Sequence, residues 1–246
     1  MPEGPSIVIL KETVQLFKNK EIISVSGNTK KIDIHYLEGK VIRDFKSWGK
    51  HFLICFDDIT IRIHLLMFGS YLINEHKEAK PRLSIRVKDG ELNFYACSIK
   101  EITEDLNIVY DWSCDVMNEA WDENKARIKL DKLGNILVCD ALLDQNIFSG
   151  VGNIIKNEVL YRIKVHPESK WDFLPSQKKD ELLKEAVNYS FEFLAWKKEF
   201  TLRKHWLVHT KTVCARCNLP ILKKYMGKTN RRTFFCSNCQ ILYALK

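Results

Sequence analysis

Apolar residues at three- and four-residue spacing, Ile7, Leu10, Val14 and Phe17, predict an amphipathic helix over residues 6–18, capped by Ser6 after Pro5. From Glu21 to about Tyr95 the period shortens: residues 22–25, 32–34, 41–42, 52–54, 60–63, 83–87 and 92–95 are β-rich runs separated by Gly, Asn and Asp. That pattern predicts a β-sandwich or barrel. Helical spacing returns over residues 116–200 and ends in a long helix from about Ser176 to Lys198. Beyond it, Ile221-Leu222 and Thr233-Phe234-Phe235 flank a polar Gly227-Lys228-Thr229-Asn230 and predict a small β-hairpin. No internal repeat or low-complexity stretch interrupts this order. The expectation is a multidomain α+β protein: a β-sandwich with an N-terminal helix over 1–115, a helical domain over 116–200 and a hairpin domain over 201–246.

Composition narrows the class. The 246 residues are 46% hydrophobic and 28% charged, and no run of about 18 apolar residues could span a bilayer, so no membrane partner is expected. Lys11, Glu12, Lys18, Lys20 and Glu21 interrupt any secretory apolar core. A cytoplasmic location follows, nucleoid-associated in a bacterium, with eight reduced cysteines rather than a disulfide framework. The net charge of +8 is unevenly placed: from Thr201 to Lys246 there are ten Lys/Arg and no Asp or Glu. Such a segment favours a polyanion, because each cation set on a phosphate releases condensed counterions.

The cysteines give that segment a scaffold. Cys214-Ala-Arg-Cys217 and Cys236-Ser-Asn-Cys239 are two CxxC knuckles separated by 18 residues, the spacing of a four-thiolate zinc site. One structural Zn²⁺ is therefore expected, supplying much of the folding free energy of so short a domain and holding Lys228, Arg231 and Arg232 on a rigid finger. Cys55, Cys97, Cys114 and Cys139 lie among apolar neighbours and read as small buried hydrophobes.

The N-terminus carries the candidate chemistry. An α-amino group has a reference pKa near 8, so a useful fraction is nucleophilic at neutral pH. If Met1 is removed, Pro2 offers a secondary amine that can condense with a sugar aldehyde carbon to give an iminium, and Glu3 beside it can supply the proton that opens the ring.

Met1-Pro2-Glu3-Gly4-Pro5 resembles the start of the formamidopyrimidine-DNA glycosylase and endonuclease VIII family. Further matches follow in order. Trp48-Gly49-Lys50-His51 resembles the segment whose lysine serves the active site near the DNA phosphate; here that is Lys50. Residues 142–160, with Gly150-Val151-Gly152-Asn153 at their centre, resemble the helix–two-turn–helix element, and Asn153 opens a helix whose free N–H groups suit a phosphate. Arg231-Arg232-Thr233-Phe234-Phe235-Cys236 resembles the zinc-finger segment whose arginine, here Arg231, holds phosphates beside a flipped nucleotide. The resemblance also implies that Leu66, Met67 and Phe68, after a strand and before Gly69, fill the void that base extrusion leaves.

The resemblance implies a bifunctional DNA glycosylase/AP lyase of base excision repair, acting on damaged DNA as a monomer without a nucleotide cofactor. Gly4, the segment 94–99 and the short span from Thr201 to Val213 resemble the endonuclease VIII branch, whose main substrates are oxidised pyrimidines. Two alternatives stand beside this reading: an 8-oxoguanine/formamidopyrimidine-type glycosylase, and a non-catalytic zinc-ribbon nucleic-acid-binding protein. Ser6 departs from the family pattern, which has Glu there.

Overall fold

Glu3, in extended backbone at φ −120°, precedes helix α1 (Gly4–Thr13), and Pro5 supplies the fixed φ suited to a first turn. Glu3 is thus the N-cap and Ser6 lies inside the helix, donating its backbone N–H to the Glu3 carbonyl at 2.8 Å. The expected Ser6 cap is corrected accordingly. After Thr13 the chain tightens into a 3₁₀ turn, Val14–Phe17, which keeps Ile7, Leu10, Val14 and Phe17 on one buried stripe. This is a computed structural model; it describes residues 2–244 and divides into two units, Met1–Tyr110 and Asp111–Lys246.

In the first unit the strands are β1 (Ile22–Ser26), β2 (Asp44–Trp48), β3 (His51–Cys55), β4 (Thr60–His64), β5 (Ser70–Ile73), β6 (Leu83–Val87), β7 (Gly90–Tyr95) and β8 (Ser98–Ile102), followed by a short helix α2 (Leu106–Val109). They form two four-stranded antiparallel sheets, in the orders β1-β6-β7-β5 and β2-β3-β4-β8. Phe52, Ile54, Ile61 and Ile63 of one sheet and Leu83, Ile85, Leu92 and Phe94 of the other share a single core with the stripe of α1. This is the expected β-sandwich. Strands β2, β5 and β8 were not among the expected runs, and two of the expected runs form no strand. Residues 32–34 form no strand, because the Asp33 carboxylate accepts the His35 N–H at 3.0 Å and turns the chain into a 3₁₀ segment, His35–Leu37. Val41 makes only an isolated bridge to Glu21.

The second unit contains α3 (Glu123–Leu133), α4 (Val138–Ala141), α5 (Asn153–Arg162) and α6 (Ser176–Lys198), then the hairpin β9 (Leu222–Met226) and β10 (Arg231–Phe235). Helix α5 packs on α6 and on β10, so the helices and the hairpin belong to one unit. Its interior is built from Leu130, Phe148, Ile155, Leu160, Trp171, Leu183 and Phe193. Among the described residues no helix is long and apolar enough to cross a membrane.

Candidate functional site

In the first unit, Pro2 is partly exposed and stands ahead of Glu3, whose side chain is fully buried at the cap of α1. Met1, on whose removal the free amine depends, lies outside the described residues. Helix α1 packs on β2 and β3, and the two-residue turn joining those strands is Gly49-Lys50, closed by the Trp48–His51 pair. Gly49 has φ +53°, the left-handed conformation a tight turn asks of one residue. Pro2, Glu3 and Lys50 therefore sit on elements that pack together. Behind the turn, His51 meets Trp48, His64 and Tyr110, with ring centroids 5.2 to 5.8 Å from it. Burial first, then the cations Arg62 and Lys50 and the neighbouring His64, lowers the His51 pKa to about 3, so this imidazole stays neutral beside the lysine.

Between β4 and β5 the chain doubles back, with the Gly69 N–H donating to the Leu65 carbonyl at 2.7 Å. A Cβ on Gly69 would lie 2.0 Å from that oxygen, so only glycine closes this turn. Leu66 takes φ +54°, and Leu66, Met67 and Phe68 are 49%, 49% and 85% exposed. Three large apolar side chains displayed on one strained turn are not core residues; they suit insertion between bases.

In the second unit, helix α5 organises the phosphate-holding candidates. Gly152 precedes it in extended backbone, and Asn153 is its first residue. Asn153 Nδ2 donates to the Arg232 carbonyl at 2.7 Å, which fixes the helix start against the strand that begins with Arg231. Along the same helix Lys156, Asn157 and Glu158 are buried polar side chains. Glu158 accepts three backbone N–H groups, from Leu207 at 2.8 Å, Val208 at 3.0 Å and His209 at 2.7 Å. Burial pushes its carboxyl upward, and the three N–H groups oppose that shift. Asp140 of α4 accepts the Lys228 N–H through both oxygens, at 2.9 and 3.1 Å, and so pins the hairpin turn.

Cys214, Cys217, Cys236 and Cys239 bring their four sulfurs within 4.8 Å of one another, and this cluster can hold a metal ion. The Cys214–Cys239 and Cys217–Cys236 separations are 3.9 and 3.5 Å. Four thiolates about 2.3 Å from a tetrahedral ion would stand about 3.8 Å apart, so the donor set fits. Arg216, within the first knuckle, donates to the carbonyls of Tyr161 at 2.7 Å and Arg162 at 3.3 Å, the last residues of α5. A cation on those C-terminal carbonyls caps the helix and fastens the metal knuckle to it. Cys55, Cys97, Cys114 and Cys139 are all buried, and none is a member of this cluster.

Comparison with known proteins agrees with this arrangement. Residues 1–97 match the formamidopyrimidine-DNA glycosylase N-terminal domain and residues 109–192 match the formamidopyrimidine-DNA glycosylase H2TH domain. Endonuclease 8-like 2 of Bos taurus is 30% identical, over 98% of this chain and 96% of its own length. The chain belongs to the formamidopyrimidine-DNA glycosylase family. Mouse endonuclease 8-like 3 is 29% identical over 84% of the chain. Against the endonuclease 8-like 3 relatives the chain spans only 36% to 40% of their length. Two solved structures share the fold: Lactococcus lactis formamidopyrimidine-DNA glycosylase bound to DNA containing an AP site (TM-score 0.85, 24% identity, 97% of this chain and 99% of that one), and a viral DNA glycosylase (TM-score 0.83, 23% identity, 97% and 100%).

Within this family member, several structurally decisive residues escape sequence reasoning. His51 and His64 look like ordinary strand residues; only the register Phe52↔Ile63 and His51↔His64 sets them side by side next to Lys50. Lys156, Asn157 and Glu158 interrupt an apolar run between Ile155 and Val159. That interruption was the available signal: three consecutive polar residues inside a central helix need buried partners. Asp140 had no comparable signal.

Proposed function

We propose that this protein is a bifunctional DNA glycosylase and AP lyase that excises oxidised bases, mainly pyrimidines, from DNA. The observation that carries the reading is Pro2 set directly ahead of the buried Glu3 cap of α1, in a chain of the formamidopyrimidine-DNA glycosylase family. Once Met1 is removed, the Pro2 amine attacks C1′ while Glu3 protonates the deoxyribose ring oxygen, and the base leaves. The resulting iminium acidifies the C2′ hydrogens, so β- and then δ-elimination cleave both flanking phosphate esters. Lys50, Asn153 and Arg231 hold phosphates through these steps. Leu66, Met67 and Phe68 occupy the gap left by the rotated nucleotide.

The four cysteines hold one structural Zn²⁺, which keeps the hairpin rigid and leaves the chemistry to the side chains. The protein works as a cytoplasmic monomer on damaged DNA and needs no nucleotide cofactor. The endonuclease 8-like names of the relatives favour oxidised pyrimidines over 8-oxoguanine.

Single-turnover cleavage of duplexes carrying thymine glycol, 8-oxoguanine opposite cytosine, or no lesion tests the assignment. Thymine glycol is expected to be processed fastest, with phosphate on both new ends. Faster processing of 8-oxoguanine would overturn the substrate class, and no cleavage of any damaged strand would leave only a binding role.

A further inference from the structure

Lys156 lies three residues into α5 and is only 1% exposed, although it carries an ammonium group. Burying a cation is unfavourable unless it gains strong partners, and an apolar side chain would fill the same space without that penalty. The partners it gains include two neutral oxygens at the centre of the phosphate-holding region. Lys156 Nζ donates to Asn153 Oδ1 at 2.9 Å and to Thr233 Oγ1 at 2.8 Å, and Thr233 Oγ1 donates in turn to the Arg231 carbonyl at 3.0 Å. Asn153 completes the circuit by donating Nδ2 to the Arg232 carbonyl at 2.7 Å.

This circuit fixes the Asn153 carboxamide in one orientation. Flipped, its nitrogen would face the Lys156 ammonium, donor against donor, and its oxygen would face the Arg232 carbonyl, acceptor against acceptor. With the oxygen held by a cation and one N–H held by a carbonyl, the second N–H is the group left for an anion. The ammonium also polarises the amide, so that N–H becomes a stronger donor. The same lysine is linked through Thr233 to the main chain of Arg231.

We propose that Lys156 is a positioning residue for DNA: it presents the Asn153 amide N–H to a backbone phosphate and joins Asn153 and Arg231 into one phosphate clamp. This rests on the reading above that Asn153 and Arg231 hold phosphates. Lys156 touches no DNA itself and acts through Asn153.

A double-mutant cycle tests it on the full-length, zinc-loaded protein. Binding to a fluorescent duplex containing a tetrahydrofuran abasic analogue is read by anisotropy for wild type, Asn153→Ala, Lys156→Met and the double variant, with thermal melts confirming folding. Each single variant is expected to bind on the order of tenfold more weakly, the scale of one hydrogen bond to a charged group. In the Asn153→Ala background, Lys156→Met should add no further loss. Lys156→Gln, which keeps a donor without the charge, should recover part of the affinity, and it replaces Lys156→Met in the cycle if the latter does not fold. An equal loss from the Lys156 substitution with and without Asn153, or no loss at all, would overturn the proposal. If wild type bound the abasic duplex no more tightly than undamaged DNA, the proposed function would fall and this inference with it.

Discussion

Gly227 opens the hairpin turn at φ +73°, a left-handed conformation, with Asp140 pressed against it. A Cβ built there would lie 2.2 Å from Asp140 Oδ1 and 2.8 Å from its Cγ. Ordinary contact begins near 3.4 Å, so in Gly227→Ala the carboxylate must move by about an ångström. That displacement takes it off the Lys228 N–H, which it holds at 2.9 and 3.1 Å. Losing a buried bond to a charged acceptor costs about 1.5–3 kcal/mol. Forcing an alanine into left-handed backbone adds roughly 1 kcal/mol. Gly227→Ala should therefore destabilise the second unit by about 3 kcal/mol, from these two contributions together. Gly39 provides the control: its φ is +78°, but nothing lies within 4 Å of its would-be Cβ, so Gly39→Ala bears only the backbone strain, about 1 kcal/mol. Urea unfolding of the zinc-loaded proteins measures both. In an Asp140→Ala background, Gly227→Ala should also fall to about 1 kcal/mol, since the obstructing carboxylate is gone. Equal costs for Gly227→Ala and Gly39→Ala in the otherwise unchanged protein would refute the assignment of Asp140 as the anchor of the hairpin turn.

Three further outcomes follow from the geometry. Substituting Cys217 with Ser should lower bound zinc from one ion per chain and abolish abasic-DNA binding, read by metal analysis and anisotropy; retained zinc and binding would remove the cluster from the DNA-binding account. Replacing Leu66, Met67 and Phe68 together with Ala should slow excision from base-paired duplex by about tenfold or more, because an emptied base step is no longer propped open, yet spare cleavage of single-stranded abasic DNA. Acid should weaken the first unit through His51. Its folded pKa is about 3 against an unfolded value near 6.5, so its contribution is complete above pH 6.5 and is lost as pH falls toward 3. At pH 5 that loss is about 2 kcal/mol. The drop in unfolding free energy between pH 7.5 and 5 should therefore shrink by this amount in His51→Leu, and an unchanged drop would show that the imidazole is not held neutral.

What could be read from the chain, and what could not, separates along the origin of each signal. Helix α6, expected from about Ser176 to Lys198 and observed over Ser176–Lys198, was legible because Pro175 marks its start and its apolar positions recur at helical period. The two knuckles and the hairpin between them were legible because four thiols at that spacing suit a single tetrahedral ion. Residues 32–34 have strand composition, but the Asp33 side chain competes for the backbone and ends the run. Strand β5 was missed for the opposite reason: Ser70, Tyr71, Leu72 and Ile73 are all half-buried, so no alternation marks them. At the candidate site, Pro2, Glu3, Lys50, Asn153 and Arg231 were singled out by motif order alone. The buried polar residues of α5 were signalled only by their interrupting an apolar run; their partners lie far along the chain, Thr233 of the hairpin 77 positions beyond Lys156 and the backbone of residues 207–209 some 50 positions beyond Glu158.

In the proposed reaction the amine of Pro2 forms a covalent bond with the sugar. Sodium borohydride trapping detects that bond: protein whose intact mass shows loss of Met1 is incubated with abasic DNA, reduced, digested and sequenced by mass spectrometry. One stable protein–DNA adduct is expected, mapped to the nitrogen of Pro2, and none from protein that retains Met1. An adduct on Lys50 or another lysine, or no adduct from correctly processed protein, would contradict it.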